Sequence, residues 1–586
     1  MVFSSASFIF LFLPLTLVAY LAAERSGNIR AKNAVLLVCS FIFYAWSGVK
    51  YALLLCVSVA VNYALGLKIG AAPTEAAAAP GDTTAAAGAG RTRTDTTDIK
   101  QDGITGPAVI PAVTAPTEAA AVPGDTTAAA GSIGRGTAKV SSKDMAGRKP
   151  AAPHRKLLLT AGVLWNVGIL FYYKYLGLFV PSFHVLMPIG ISFFTFQIMS
   201  YLFDVYYGTV PAQRSYPRLL LYVMLFPQLI AGPIVRYHDV NAAIDKRRSD
   251  APEVHDGLRR FMMGFIKKVF LANHMGLMAD AAFGMVPALS TSEAWLGILC
   301  YTLQIYLDFS AYSDMAIGLG RVFGFHFLEN FNYPYISGTM QEFWRRWHIS
   351  LSSWFRDYVY IPLGGSRRGP VRTYVNLIII FLLTGFWHGA AWSFVLWGAY
   401  HGLFLILERL GLGRVLKKLP APFRHIYTLL AVMCGWVFFR AESIGDAFLY
   451  LKCMFGQRIF GLYHIEIAEL ITNEFLTMLA ISLVICVPVV RIAVEKIDGA
   501  GKAASGHDLL HNAGDAAAVN EISVTGSTDS GGGTSPAVEA DGSGQMPDGI
   551  GCIGSILVDL TVLGLFALAV LYMLGASFNP FIYFRF

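Results

Sequence analysis

Three pieces of sequence decide how this chain is read: DFSAYSDMAIGLG (308–320), FWRRWHISLSSWFRDYVYIPLGG (343–365) and GFWHGAAWSFVLWGAYHG (385–402). Carboxylates, guanidinium groups and imidazoles stand here between strongly apolar runs. Such groups are costly inside a bilayer, so their presence points to function. The remainder of the chain reads as the membrane body that carries this stretch.

Composition supports that body. The chain has 586 residues, 55% hydrophobic and 14% charged, where a soluble protein averages about 25% charged. Mean hydropathy is +0.53. The net charge of +7 therefore marks cytoplasmic loops of a multi-pass protein in the lipid bilayer and is no nucleic-acid signal. Seven cysteines are dispersed without a CxxC pair, which suits small buried residues and neither a disulfide framework nor a zinc site. No Lys or Arg precedes the apolar run 8–23. A secretory signal needs one, so the run reads as a first transmembrane helix with its N-terminus outside. Arg25, Arg30 and Lys32 then lie inside.

A spanning helix needs about 20 mainly apolar residues. Candidate runs lie near 5–23, 33–49, 51–69, 157–179, 186–206, 216–235, 260–282, 293–312, 374–388, 390–408, 425–440, 473–490 and 553–576. Several are short or interrupted. The expected fold class is an all-α integral membrane protein with about eleven transmembrane helices plus re-entrant or interfacial helices. Residues 1–70 hold the N-terminal spans, 157–494 the main core, and 551–586 a last span with its tail.

Two segments differ in kind. In 71–156, PTEAAAAPGDTTAAAG from Pro73 returns as PTEAAAVPGDTTAAAG from Pro116. Without an apolar face to stack, two copies build no core, so this reads as a disordered, duplicated insertion. Residues 495–550 form a second insertion, acidic and rich in Gly, Ala and Ser.

Within the core, LMPIGISFFTF (186–196) and LFPQLIAGPIVRY (225–237) carry Pro and Gly in apolar runs. Each is either a broken helix lining a cavity or a kinked buried one. The pattern over 259–280, basic on one side and apolar on the other, suits an interfacial helix.

Of thirteen histidines, His348, His388 and His401 stand out by context. An imidazole buried between Trp387 and Gly389 stays neutral and can accept a proton, as a general base must. A structural imidazole bonded to a backbone carbonyl is the bland alternative. His388 and His401 are 13 residues apart, which on one helix is about 20 Å of rise and nearly opposite faces. They share no small ion, and no metal site is expected. Arg345, Arg346, Arg367 and Arg368 could dock a phosphorylated donor, or serve as positive-inside anchoring beside an aromatic belt. Asp308, Ser310, Tyr312 and Asp314, with Trp347 and Trp387, are candidates to line a polar tunnel; helix capping is the competing role for Ser313 and Asp314. There is no GxSxG, Walker loop or dinucleotide fingerprint.

Taken together, MVFSSASFIFLFLP (1–14), MPIGISFFTFQIMSYLFDVY (187–206), FPQLIAGPIVRY, QIYLDFSAYSDMAIGLGRVFGF (304–325), NFNYPY (330–335), the 343–365 and 383–402 segments and FNPFIYFRF (578–586) resemble the membrane-bound O-acyltransferase superfamily. The likeness is to its bacterial polysaccharide branch, the alginate O-acetyltransferase-like group. It covers about 1–70, 157–495 and 553–586; the two insertions depart from the pattern. The resemblance implies helices around a central tunnel in the bacterial inner (plasma) membrane. It also implies transfer of an acetyl group from a cytoplasmic thioester, acetyl-CoA as donor substrate with no permanently bound cofactor, to a polysaccharide acceptor. An extracytoplasmic SGNH-esterase-like partner is implied too. The family's catalytic histidine maps onto His388 and its other signature polar position onto His348. Within the same fold, a D-alanyl transferase for teichoic acid is the competing reading, and outside it a polymer-precursor transporter.

Overall fold

An apolar run in a medium without water has few stable backbones, because every N–H and C=O must be satisfied within the chain. The helix does this locally. In the computed structural model, residues 1–71, 153–180, 182–183, 185–286, 288–456, 464–489 and 549–575 are described, and their regular elements are all helical. They belong to one compact unit, Met1–Ala72 with Met145–Phe586. Apart from their edges, both expected insertions lie outside the described residues, as does the FNPFIYFRF tail.

Six helices among the described residues are long and apolar enough to cross a membrane: Ser7–Arg25, Val49–Ala71, Pro153–Phe179, Pro370–His388, Ala421–Arg440 and Ser555–Gly575. The other apolar runs are shorter, broken or charged. Helix begins only at Ile191 in the 186–206 run. The 216–235 run splits into Tyr216–Met224 and Phe226–Leu229, with Leu225 turned to ψ 110° between them. Residues 219–235 are buried throughout. Both Pro/Gly runs are therefore broken; protein encloses the irregular backbone of the second, whereas the first is partly exposed, Leu186 most of all, and borders a cavity.

The 259–280 segment is helical, as expected. It belongs to a continuous helical run, 251–284, packed along Thr291–Val322. Its basic side meets acids on that neighbour: Arg260 and Lys267 bond Asp314 at 2.9 and 2.6 Å, and Lys268 bonds Asp308 at 2.9 Å. The basic side that suggested a headgroup contact thus has acidic partners within the protein.

The helix ends sort onto two faces. Lys32 Nζ donates to the Arg247 carbonyl, and Arg247 to Asn33, so two basic loops meet. Arg155 donates to the carbonyls of Val205 and Tyr206, which adds the start of 153–179 and the end of 191–206. This is the basic face, the one that the positive-inside rule expects toward the cytoplasm. The opposite face collects the end of 153–179, the start of 191–206 and the end of 370–388, where Lys174 bonds Ser192, Trp387 and His388.

On the basic side a charged network ties 236–245 to the segment after the 349–355 helix. His238 Nδ1 lies 2.9 Å from Asp204, Tyr358 donates to the same carboxylate at 2.7 Å, and Arg236 bridges Asp239 and Asp357. Burial opposes charge on the His238 imidazole, but Asp204 and Asp239 outweigh it and hold its pKa above the ordinary value. A raised pKa stabilises the fold fully below the unfolded value of about 6.5, and that stability is lost as pH rises through the folded value. The melting temperature of detergent-solubilised protein should accordingly fall between pH 6 and 9 more steeply in the wild type than in His238→Gln. Equal slopes would contradict the ion pair.

Candidate active site

Two glycine contacts set the frame. A Cβ on Gly385 would stand 2.2 Å from the Phe394 carbonyl oxygen, and one on Gly398 2.2 Å from that of Phe381. The 370–388 helix and Trp392–Leu407 therefore meet backbone to backbone, as small residues allow between membrane helices. His388 is the last residue of the first of these helices.

The His388 ring is 6% exposed and walled by Trp387, Trp397 and Phe439, at centroid distances of 4.9, 5.2 and 5.0 Å. Its Nδ1 is buried and has no hydrogen-bond partner among the described residues. Other buried polar atoms share that state, both ring nitrogens of His401 among them, so it is the adjoining cavity that singles His388 out. His388 borders a cavity of ≈ 340 Å³ whose wall also includes Lys174, Ser192, Trp387 and the broken stretch 186–191. Apolar side chains dominate the wall, so a small acyl group fits its chemistry.

His348 lies behind Trp387, whose ring is 6.1 Å from it. It is 1% exposed, with its backbone in the left-handed region at φ 42° and ψ 55°. That conformation costs an L-residue roughly 1–2 kcal/mol, and such strain collects at functional sites. Asn330 holds the ring. Its Nδ2 donates to Ser313 Oγ at 3.2 Å and the Gly232 carbonyl at 3.4 Å. Its Oδ1 therefore faces His348 Nδ1 at 3.0 Å and Ser350 Oγ at 2.8 Å. An acceptor at that position puts the imidazole proton on Nδ1 and the lone pair on Nε2.

The structure thus brings His348, Trp387 and His388 together. The other expected residues lie elsewhere. Asp308 and Tyr312 share one helix face, four residues apart, and border a small separate pocket with Phe3 and Lys268. Asp314 is held by Arg260 and Lys267. Ser310 bonds the Leu307 carbonyl within its own helix. The side of that helix turned to the site carries Phe309, 4.7 Å from the His348 ring, and Ser313. Trp347 packs on Phe331 and Trp436. Trp344, Trp347 and Trp354 are all buried, so they form no surface belt. Arg346 bonds Glu342 and the Asn332 carbonyl, whereas Arg345, Arg367 and Arg368 are exposed. Arg367 and Arg368 precede the 19-residue helix that ends at His388, so about 28 Å separates them from the cavity. His401 is fully buried among Trp344, Trp397 and Tyr400, away from the cavity.

The 210–444 segment, which contains both histidines, matches the model of the membrane-bound O-acyltransferase family. A probable alginate O-acetylase, AlgI, of Azotobacter vinelandii is 36% identical over 605 residues, covering 100% of each chain. The chain belongs to the membrane-bound O-acyltransferase family. A peptidoglycan O-acetyltransferase of Helicobacter pylori is 36% identical over 53% of this chain and 67% of its own. A teichoic acid D-alanyltransferase of Bacillus subtilis is 29% identical over 38% and 60%.

This is therefore an O-acyltransferase of the membrane. Three residues of the candidate site escaped the sequence reading: Lys174, Ser192 and Asn330. Lys174 interrupts the apolar run FYYKYLGLF, a signal of the same kind as the histidines. Asn330 opens NFNYPY, and nothing in its immediate neighbours marks it as a ring-holding residue. Asn330→Ala removes the acceptor from two buried donors, and losing a buried hydrogen bond costs about 1–3 kcal/mol. Turnover in purified enzyme should drop roughly 10–100-fold with the protein still folded; unchanged turnover would show that His348 is not held through Asn330.

Proposed function

We propose that this acyltransferase moves an acetyl group from a cytoplasmic thioester, acetyl-CoA, to serve O-acetylation of an extracytoplasmic polysaccharide such as an alginate-like polymer. The observation that carries this reading is the position of His388: it borders a cavity on the face opposite the basic loops, with His348 deeper in the protein behind the same tryptophan. The full-length likeness to a probable alginate O-acetylase supports acetyl as the group moved, against the partial likeness to the D-alanyltransferase.

In this reading the donor approaches from the basic face, where Arg345, Arg367 and Arg368 are exposed and can bind phosphate oxygens. Its thioester reaches the histidines through the protein. His388 takes the proton of an incoming hydroxyl. The hydroxyl oxygen forms a bond to the thioester carbonyl carbon, the C–S bond breaks, and the thiolate takes up a proton. A transient acyl group on His388 itself reaches the same product in two steps. His348, with its proton placed on Nδ1 by Asn330, orients the donor side. An SGNH-esterase-like partner outside the inner membrane completes delivery to the sugar. The core 157–494 carries this chemistry, with about eleven crossings in all once broken elements are counted, and the insertions 71–156 and 495–550 stand outside the path.

Replacing His388 by Ala removes the base, which is worth about 10²–10⁴ in rate. Cells carrying His388→Ala should make surface polymer without detectable O-acetyl groups by mass spectrometry while the protein remains in the membrane at wild-type level. Fully acetylated polymer would contradict the assignment.

A further inference from the structure

Lys174 lies near the end of the 153–179 helix, on the wall of the His388 cavity. Its Nζ is 2.7 Å from the Trp387 carbonyl oxygen, 2.9 Å from that of His388 and 3.1 Å from Ser192 Oγ. Among the described residues no carboxylate forms an ion pair with it; its partners are neutral oxygens. An ammonium has three protons, and three acceptors take them, so none is left to grip a substrate. Two of those acceptors belong to the last turn of 370–388. There the carbonyls have no intrahelical partner, and the helix dipole favours a cation. The third acceptor sits at the start of 191–206, the element bordering the opposite wall. The Tyr175 hydroxyl adds a bond to the Phe386 carbonyl at 2.7 Å.

We propose that Lys174 is the positioning residue for His388: its ammonium ties the end of the WH helix to Ser192 and so fixes where the imidazole stands in the cavity. A buried charge is an expensive way to cap a helix, and a helix that merely spans needs no such clamp. The expense is explained when a side chain on the last capped residue must hold a reacting geometry, since small misplacements lower rate steeply. Lys174 touches no reacting atom and acts through His388. The link to rate rests on the acyl-transfer reading above, whereas the link to His388 placement does not.

The test uses full-length protein in membranes with Lys174→Met and, as a milder change, Ser192→Ala, which removes one acceptor of three. Two quantities are read. The first is acyl-transfer kinetics with acetyl-CoA. The second is the rate at which diethyl pyrocarbonate modifies His388, followed on its peptide by mass spectrometry, which does not depend on the enzyme's reaction. Expected for Lys174→Met are a kcat at least tenfold lower per folded molecule, KM for acetyl-CoA within about twofold, and an altered His388 modification rate. Ser192→Ala should shift both readouts in the same direction by less, and it decides the matter if the methionine variant fails to fold. Activity lost only in proportion to folded protein, with His388 modification unchanged, would overturn the proposal. A modification rate changed in the variants, together with a wild type that transfers no acetyl group, would uphold the positioning role and remove the acyl-transfer reading instead.

Discussion

A bilayer supplies no water, so each polar group at depth must find its partner within the chain. The architecture follows from that constraint. Lys268 faces Asp308, Asp314 faces two cations, and Asn62 and Asn166 bond each other across two helices. Buried polar atoms without a hydrogen-bond partner among the described residues occur in several places, both ring nitrogens of His401 included, but three unusual features gather at one point. The His388 ring has a buried nitrogen without a partner among the described residues, His348 adopts a left-handed backbone, and Lys174 rests on neutral oxygens. All three lie around the Trp387 ring, within one small region of a large protein.

That concentration separates structural polarity from chemical polarity. The Asp314 cluster and the Lys268–Asp308 pair are matched in charge, and breaking a buried pair costs about 3–5 kcal/mol; they bind helices together. The site groups are positioned by others. Asn330 sets a tautomer, Lys174 sets a helix end, and Gly385 with Gly398 brings two backbones close enough to place His388 at the cavity edge. Broken backbone at 185–190 and 225–235 furnishes the space.

The helical class and the burial of His348 and His388 were legible because they depend on composition and on the apolar surroundings of those imidazoles. The phase of a helix relative to its neighbours was not. DFSAYSD presents Asp308 and Tyr312 on one side and Phe309 and Ser313 on another, and only the positions of Lys268 and Asn330 decide which side meets the site. The arginine-rich 341–372 stretch hid a similar ambiguity: its tryptophans are buried while several of its arginines stay outside. The basic face of 259–268 read as a lipid-surface pattern because its acidic partners lie some 50 residues further on. Lys174 was visible as a charge in an apolar run, but its meaning depends on carbonyls more than 200 residues away.

The central claim is that the reaction joins two faces of the membrane through His348 and His388. It is tested most directly with inverted inner-membrane vesicles given acetyl-labelled thioester on the outside, which is then the basic face of the protein. Label should accumulate on polymer or partner protein enclosed in the vesicle lumen. Label confined to acceptors outside, on the face where the donor was added, would contradict the account.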